Sequence, residues 1–353
     1  MTTARAAAAA PDGLPSVTIW GAGSVSELGE ICAKAGMTRV MAVAGRSADG
    51  VAGRLPALLG QRYLGRWSDV RPHVPAHQAN LAVGSAQETH ADAIVAIGGG
   101  AAIGLAKIVA LALRLPLIAV PTTYSGSEMT SRYLVTTERG AESGASPRAL
   151  ATAVIYDPDL LAPMTRRVAA TGITAVAHCL EALCYPDVCD GARDQAREGL
   201  LLLWESLVRV GAGTAGLRTR QDALAGASLA GRAHDAAGPG LLHLLCDLTA
   251  ARHDVSYATL TALLLPTALR AHGARAEPAR AAIADLRPGV AAEAALGEFA
   301  VALGVTETID GLGLRAALTA LTEQIGSHPG LQPGRVTAAE VARLREILAA
   351  PGQ

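Results

Sequence analysis

"AIVAIGGGAAIGLAK", residues 93–107, constrains the fold more than any other stretch. An uninterrupted apolar run of strand length meets Gly98, Gly99 and Gly100, and a helical pattern opens at once. A strand apolar at every residue is buried on both faces, the condition of a parallel sheet covered by helices. The glycines let backbone approach a ligand closely, and the amides at the following helix start attract phosphate. The same turn also serves as a plain strand-to-helix reversal. It is not the GxGxxG of the usual dinucleotide fold, and "GAGSVSELG" (21–29) does not fit that spacing either.

Strand-like runs recur on both sides of it: "VTIW" (17–20), "RVMAVAG" (39–45), "RYLGRW" (62–67) and "LPLIAVPTT" (115–123). Amphipathic stretches such as "VSELGEICAKAG" separate most of them, and that alternation predicts a parallel α/β sheet. "SRYLVTTERGAESGASPRALATAVIY" (131–156) breaks the rhythm and reads as a hairpin-like excursion. After "YDPDL" the chain turns Leu/Ala/Arg/Glu-rich with a 3.6-residue apolar period, punctuated by "PDVCDG", "AAGPG" and "SHPGLQPG". The reading is a leader over 1–15, disordered; an α/β domain over 16–159; and an all-helical domain over 160–353.

Composition removes several classes. A net charge of -1 gives no field favouring nucleic acid or an acidic membrane surface. No apolar stretch is long enough to span a bilayer, and "MTTARAAAAAPDGLP" lacks the apolar core of a signal peptide. Five cysteines with no CxxC point to reduced thiols in a cytoplasmic protein. The 28 arginines against two lysines look like genome bias, against which Lys107 stands out.

The hydroxyl-rich "AVPTTYSGSEMT" (119–130) follows the next strand, at the carboxyl edge where α/β folds bind ligands. "IGGGAAIGLAK", "PLIAVPTTYSGSEMT", "SPRALATAVIYDPDL" and "TGITAVAHCLEAL" together, in this order and spacing, resemble the iron-containing alcohol dehydrogenase superfamily, and more closely its maleylacetate reductase branch. The likeness runs over nearly the whole chain. It implies a nucleotide-binding α/β domain followed by an all-α domain, the architecture shared with dehydroquinate synthase, and reduction by NADH or NADPH. Gly104 stands where metal-dependent relatives carry Asp, as in the reductase branch. By the resemblance, Gly98, Gly99 and Gly100 would hold the pyrophosphate, and Thr122, Thr123, Ser125 and Ser127 would line the cofactor. Arg46, after the second strand, would lie near the adenosine ribose, where it suits a 2′-phosphate. Ala101 replaces the family's serine. A homodimer is the superfamily's habit.

In the metal-binding relatives, Asp, His, His and His occupy what are here Thr174, His178, Asp247 and Tyr257. One imidazole with Thr and Tyr is a poor shell for Fe²⁺ or Zn²⁺, so the expectation is no metal. His253 is a displaced candidate ligand or a solvated loop residue. His178 and His243 read as proton-transfer groups or as core histidines, with Tyr257 as a substitute acid and Asp247 orienting His243 one helical turn away. A carboxylic acid substrate needs fixed cations, for which Arg148, Arg132 and Lys107 are the candidates. The leading function is a metal-independent NAD(P)H reductase of an oxo or enoyl carboxylic acid. The alternatives are a repurposed lyase, dehydratase or cyclase of a specialised pathway, and a catalytically silent binding subunit.

Overall fold

The computed structural model describes residues 5–9, 15–162, 166–250, 252–328 and 331–350. The chain divides into two compact units, Met1–Pro163 and Met164–Gln353. The first opens with β1 (Arg5–Ala9), β2 (Pro15–Trp20), α1 (Leu28–Lys34), β3 (Val40–Val43), α2 (Asp49–Ala52), α3 (Leu55–Leu59) and β4 (Tyr63–Trp67). It continues with α4 (Ala76–Glu88), β5 (Ala93–Gly98), α5 (Gly100–Leu113), β6 (Leu117–Pro121), β7 (Arg132–Thr137), β8 (Gly140–Ala145) and β9 (Ala153–Tyr156). The main sheet runs β1-β2-β9-β6-β5-β3-β4, parallel throughout except where β1 meets β2.

Strand alternation sorts the core. Val95 and Ile97, Ile118 and Val120, and Ala153 and Ile155 pack with Val25, Leu28, Leu55 and Leu59. Their alternates Ile94, Ala96, Leu117, Ala119 and Val154 are buried as well, so both faces are covered, as fully apolar strands require.

Two expectations change. Arg5–Ala9 pairs antiparallel with β2, within a leader read as disordered; ladder bonds to an edge strand use backbone alone and leave no hydrophobic signature. Residues 1–4 and 10–14 of that leader lie outside the described residues. The excursion at 131–156 also divides. β7 and β8 form an antiparallel hairpin, whereas β9 inserts between β2 and β6. "AVIY" is buried at all four positions, and such a run belongs inside a sheet.

The second unit contains α6 (Arg166–Cys184), α7 (Asp190–Gly211), α8 (Leu217–Ala237), α9 (Leu241–Ala250), α10 (Tyr257–His272), α11 (Glu277–Leu286), α12 (Ala292–Ala302), α13 (Arg315–Leu321) and α14 (Ala338–Ala349). None of its described residues forms a strand. α6, α7 and α8 pack on one another, and α10 lies against α6, α9, α12 and α14. None of the described helices is long and apolar enough to cross a membrane. All five cysteines are free thiols, and only Cys189 is exposed.

Candidate functional site

In the α/β unit, β3, β5 and β6 are adjacent and parallel. Their carboxyl ends therefore release Gly45–Arg46, Gly98–Gly100 and Thr122–Ser127 at one edge of the sheet. The Thr122 amide donates to the Gly98 carbonyl at 2.9 Å, tying two of these loops together. α5 starts after Gly99 with no side chain capping it, so its first-turn amides have no partner within the helix. A Cβ on Gly99 would sit 2.6 Å from Thr123 Cγ2, a collision, while one on Gly100 would meet the Ser127 and Ser125 hydroxyls at an ordinary 3.8 and 3.9 Å. Ser125 and Ser127 hydroxyls lie 3.1 Å apart. A helix start facing hydroxyl donors, with glycine letting the backbone come close, is an arrangement suited to cradle phosphate.

The cations proposed for substrate separate. Lys107 is 2 % exposed. Its ammonium donates to the Ser127 carbonyl (2.7 Å), the Arg132 carbonyl (3.0 Å), and the carbonyl and hydroxyl of Thr130. It braces the hydroxyl loop instead of presenting charge to a ligand, a correction to its expected role. Arg132 pairs in register with Ala145 across the hairpin, and the exposed Arg148 follows three residues later. These two cations thus share the open end of one hairpin. Arg46 is exposed.

In the helical unit, α6, α8 and α9 bring together His178, His234 and His243, each 5 % exposed. Ring centroids are 4.1 Å apart for His178–His234, 4.8 Å for His178–His243 and 4.5 Å for His234–His243. One ring nitrogen from each lies within 4.8 Å of the others. His234 escaped the sequence reading, since in "AGRAHDAAG" nothing local distinguishes it from a solvated histidine. Glu181 also escaped it. Its carboxylate accepts the Gly240 amide at 3.1 Å and the Leu242 amide at 2.7 Å, and it bonds His243 Nδ1. Burial pushes that carboxyl up, but His243 foremost, with His272 and the Leu242 amide, outweighs burial and holds it below its ordinary value. Gly240 is required here, because a Cβ would overlap the Tyr185 hydroxyl and Glu181 Oε1.

Glu181, and not Asp247, is therefore the group that orients His243, with Nδ1 toward the carboxylate and Nε2 turned away. Asp247 instead accepts the Tyr257 hydroxyl at 3.0 Å and faces His328 Nε2 at 3.9 Å. Burial, then the Asp247 charge, pushes the Tyr257 phenol well above its ordinary value. That makes the half-buried Tyr257 a reluctant proton donor, against its expected role as substitute acid. Thr174 is half-buried on α6, and the partly exposed His253 stands outside the imidazole cluster. The expectation of no metal rested on one imidazole among four positions; the fold gathers three, two of them, His234 and His243, from outside those positions.

The family model "Iron-containing alcohol dehydrogenase" matches residues 15–158, and "Fe-containing alcohol dehydrogenase family, C-terminal" matches 168–347. Maleylacetate reductase of Burkholderia cepacia is 35% identical over 86% of this chain and 84% of its own length. That of Sphingobium indicum is 34% identical over 86% of each. The crystal structure of maleylacetate reductase from Agrobacterium tumefaciens superposes with a TM-score of 0.81 at 29% identity, covering 98% of both chains. With both units matched in order, this chain belongs to the iron-containing alcohol dehydrogenase superfamily, in its maleylacetate reductase branch, and is an oxidoreductase.

Proposed function

We propose that the chain reduces an oxo or enoyl carboxylic acid with NADH or NADPH. One observation carries the reading: the uncapped start of α5, with Gly100 facing the Ser125 and Ser127 hydroxyls, at the carboxyl edge of three adjacent parallel strands. The amides of that helix start hold the dinucleotide's pyrophosphate, and Thr122, Thr123, Ser125 and Ser127 line it. Arg46 lies by the adenosine ribose. Arg148 and Arg132 fork onto substrate carboxylate.

Hydride transfer to carbon leaves negative charge on the substrate oxygen, or on the carbon conjugated with it, which must be met by a proton or a cation. In the helical unit His178, His234 and His243 are the groups suited to that partnership. A divalent ion held by the three imidazoles would polarise a substrate carbonyl as a Lewis acid. Without one, a ring N–H of these histidines is the donor, and Glu181 holds His243 in place through Nδ1.

The test is binding first. NADH and NADPH fluorescence should rise on mixing with protein, and maleylacetate, the relatives' substrate by name, should then oxidise the bound cofactor. No affinity for either dinucleotide at millimolar concentration would end the reductase reading.

A further inference from the structure

The amides that open α9 are held by two side chains at the end of α6. Glu181, in the last turn of α6, accepts the Gly240 and Leu242 amides. Tyr185, four residues on and fully buried, accepts the Leu241 amide between them at 3.3 Å. Three consecutive donors that α9 cannot satisfy by itself are thus met from α6. The same Glu181 carboxylate bonds His243 Nδ1. How His243 is held therefore depends on how Glu181 and Tyr185 sit together against the start of α9.

Tyr185 is fixed in turn by a residue far along the chain. The Arg335 guanidinium lies over its ring, 4.7 Å from the centroid, well inside cation–π range. Arg275 is 5.7 Å from the same centroid, and the His272 ring meets Tyr185 edge-on at 5.6 Å. Arg275 and His272 have another task, since both bond Glu340. Arg335 does not. It is 6 % exposed, and among the described residues its guanidinium bonds the exposed Asp187 at 2.8 Å and Gln332 at 3.5 Å. Burying a guanidinium is unfavourable unless its donors are paired, and two partners leave most of its N–H groups unserved. What burial gains it is the face of Tyr185, where a desolvated cation is attracted most strongly. Arg275 straps the same segment down, donating to the Gly334 and Arg335 carbonyls at 3.1 and 3.4 Å.

Resting on the reading that the imidazoles of this unit serve reduction, we propose that Arg335 is a positioning residue for that reaction. By clamping the Tyr185 ring it keeps the Leu241 amide paired and the first turn of α9 seated on Glu181. The Glu181–His243 bond then holds the geometry in which His243 meets the charge that hydride transfer leaves. Arg335 acts through Tyr185 and not on the reacting atoms. Released from the guanidinium, the ring tilts, Leu241 loses its acceptor, and His243 shifts with the turn that carries it.

The Glu181–His243 bond is observed in full-length protein, without dinucleotide or substrate, as a far-downfield imidazole N–H proton resonance. Its loss in Glu181→Gln assigns it. Arg335→Met, which removes the cation and keeps the length, should shift or broaden that resonance. Arg335→Lys should restore it, because a cation over the ring is what the clamp needs. Leu344→Ala, which opens a cavity behind a buried residue of α14, is the control: it should lower the melting temperature and leave the resonance in place. In turnover, Arg335→Met should lower kcat about 10–100-fold with KM changed less than about threefold, the mark of a misplaced reacting group. Arg335→Gln serves where the methionine variant does not give a native circular dichroism spectrum. Wild-type protein without the resonance overturns the proposal, as does a folded, cation-free Arg335 variant in which it stays put. Movement in Leu344→Ala, or a shifted resonance with unchanged kcat, overturns it as well. A resonance that responds as expected in a protein that reduces nothing would support the clamp and overturn the reductase reading alone.

Discussion

Single residues in the helical unit carry more than their local sequence announces. Tyr257 donates a hydrogen bond from its hydroxyl to Asp247, and its phenol is pushed up by burial and by that same carboxylate. Tyr257→Phe should therefore behave as the loss of a hydrogen bond to a charged group, about 1.5–3 kcal/mol of stability, with turnover falling less than about tenfold. Paired melting and turnover measurements check it; a hundredfold rate loss with unaltered melting would restore Tyr257 as the proton donor. His178 was legible because it stands in the block "TGITAVAHCLEAL", and His243 because a histidine on a second apolar helical stretch invites pairing with it. Glu181 lies 62 residues from His243 and His234 sits on a third helix, so no spacing rule joins them. Asp247 was assigned to His243 on a one-turn spacing that local geometry permits, but Glu181 already occupies Nδ1. Contacts made by packing three helices are set by the fold, not by any window of sequence.

At the scale of elements, α5 and the loop after β6 form one device. The strand–glycine–helix unit was readable because its parts are contiguous and each has its own pattern: β5 is buried throughout and the helix opens at Gly100. β9 was less legible, since four apolar residues after a hairpin signal look like the hairpin's own end. Lys107 looked like a substrate clamp because a lone lysine suggests charge on display; the carbonyls that consume it come from residues 20–25 positions later. Lys107→Met should strip buried carbonyls of their donor, costing about 1–3 kcal/mol for each left unpaired. Dinucleotide affinity should fall with it as the Ser125–Ser127 loop loosens. Unchanged melting with a raised KM for substrate alone would return Lys107 to the substrate site. Gly100→Val is the complementary change. Its Cβ meets the Ser127 and Ser125 hydroxyls at ordinary distance, without the overlap that a Cβ on Gly99 would suffer, so melting should hold while its γ-methyls occupy the cradle and NADH and NADPH binding falls at least about 100-fold. Retained binding in a folded Gly100→Val protein would remove the pyrophosphate from this cradle.

At the scale of the whole molecule, the buried carboxylates Glu128, Glu181 and Glu340 divide by unit in their response to acid. In the helical unit Glu340 closes the capping box of α14, accepting the Thr337 amide at 2.7 Å, and it receives His272 Nδ1 at 2.8 Å and Arg275 at 3.1 Å. Burial works against its ionised form, but the hydrogen bonds from His272 and Thr337 prevail and bring it from 4.5 to about 2. A folded-state value below the unfolded one contributes stability above pH 4.5, lost as pH falls toward 2; the shift corresponds to about 3 kcal/mol. Glu181 is displaced in the same direction and adds to the loss. In the α/β unit Glu128 is displaced the other way by burial; it accepts the Tyr156 hydroxyl at 2.9 Å and is eased, not strained, by protonation. Asp92 opposes this, lowered by the Thr38 and Arg39 donors that outweigh its partial burial, but it is solvent-screened and counts for less. The helical unit should therefore unfold first as pH drops from 4.5. Tryptophan placement allows the measurement: Trp20 and Trp67 lie in the first unit and Trp204 in the second. With Trp20 and Trp67 replaced by Phe, Trp204 emission should report an acid transition at higher pH than the combined Trp20 and Trp67 signal of a Trp204→Phe protein. Glu340→Gln should flatten the pH dependence of the Trp204 transition between 4.5 and 2. Coincident transitions in the two reporter proteins, or an unchanged slope in Glu340→Gln, would show that acid stability is not set by these buried carboxylates.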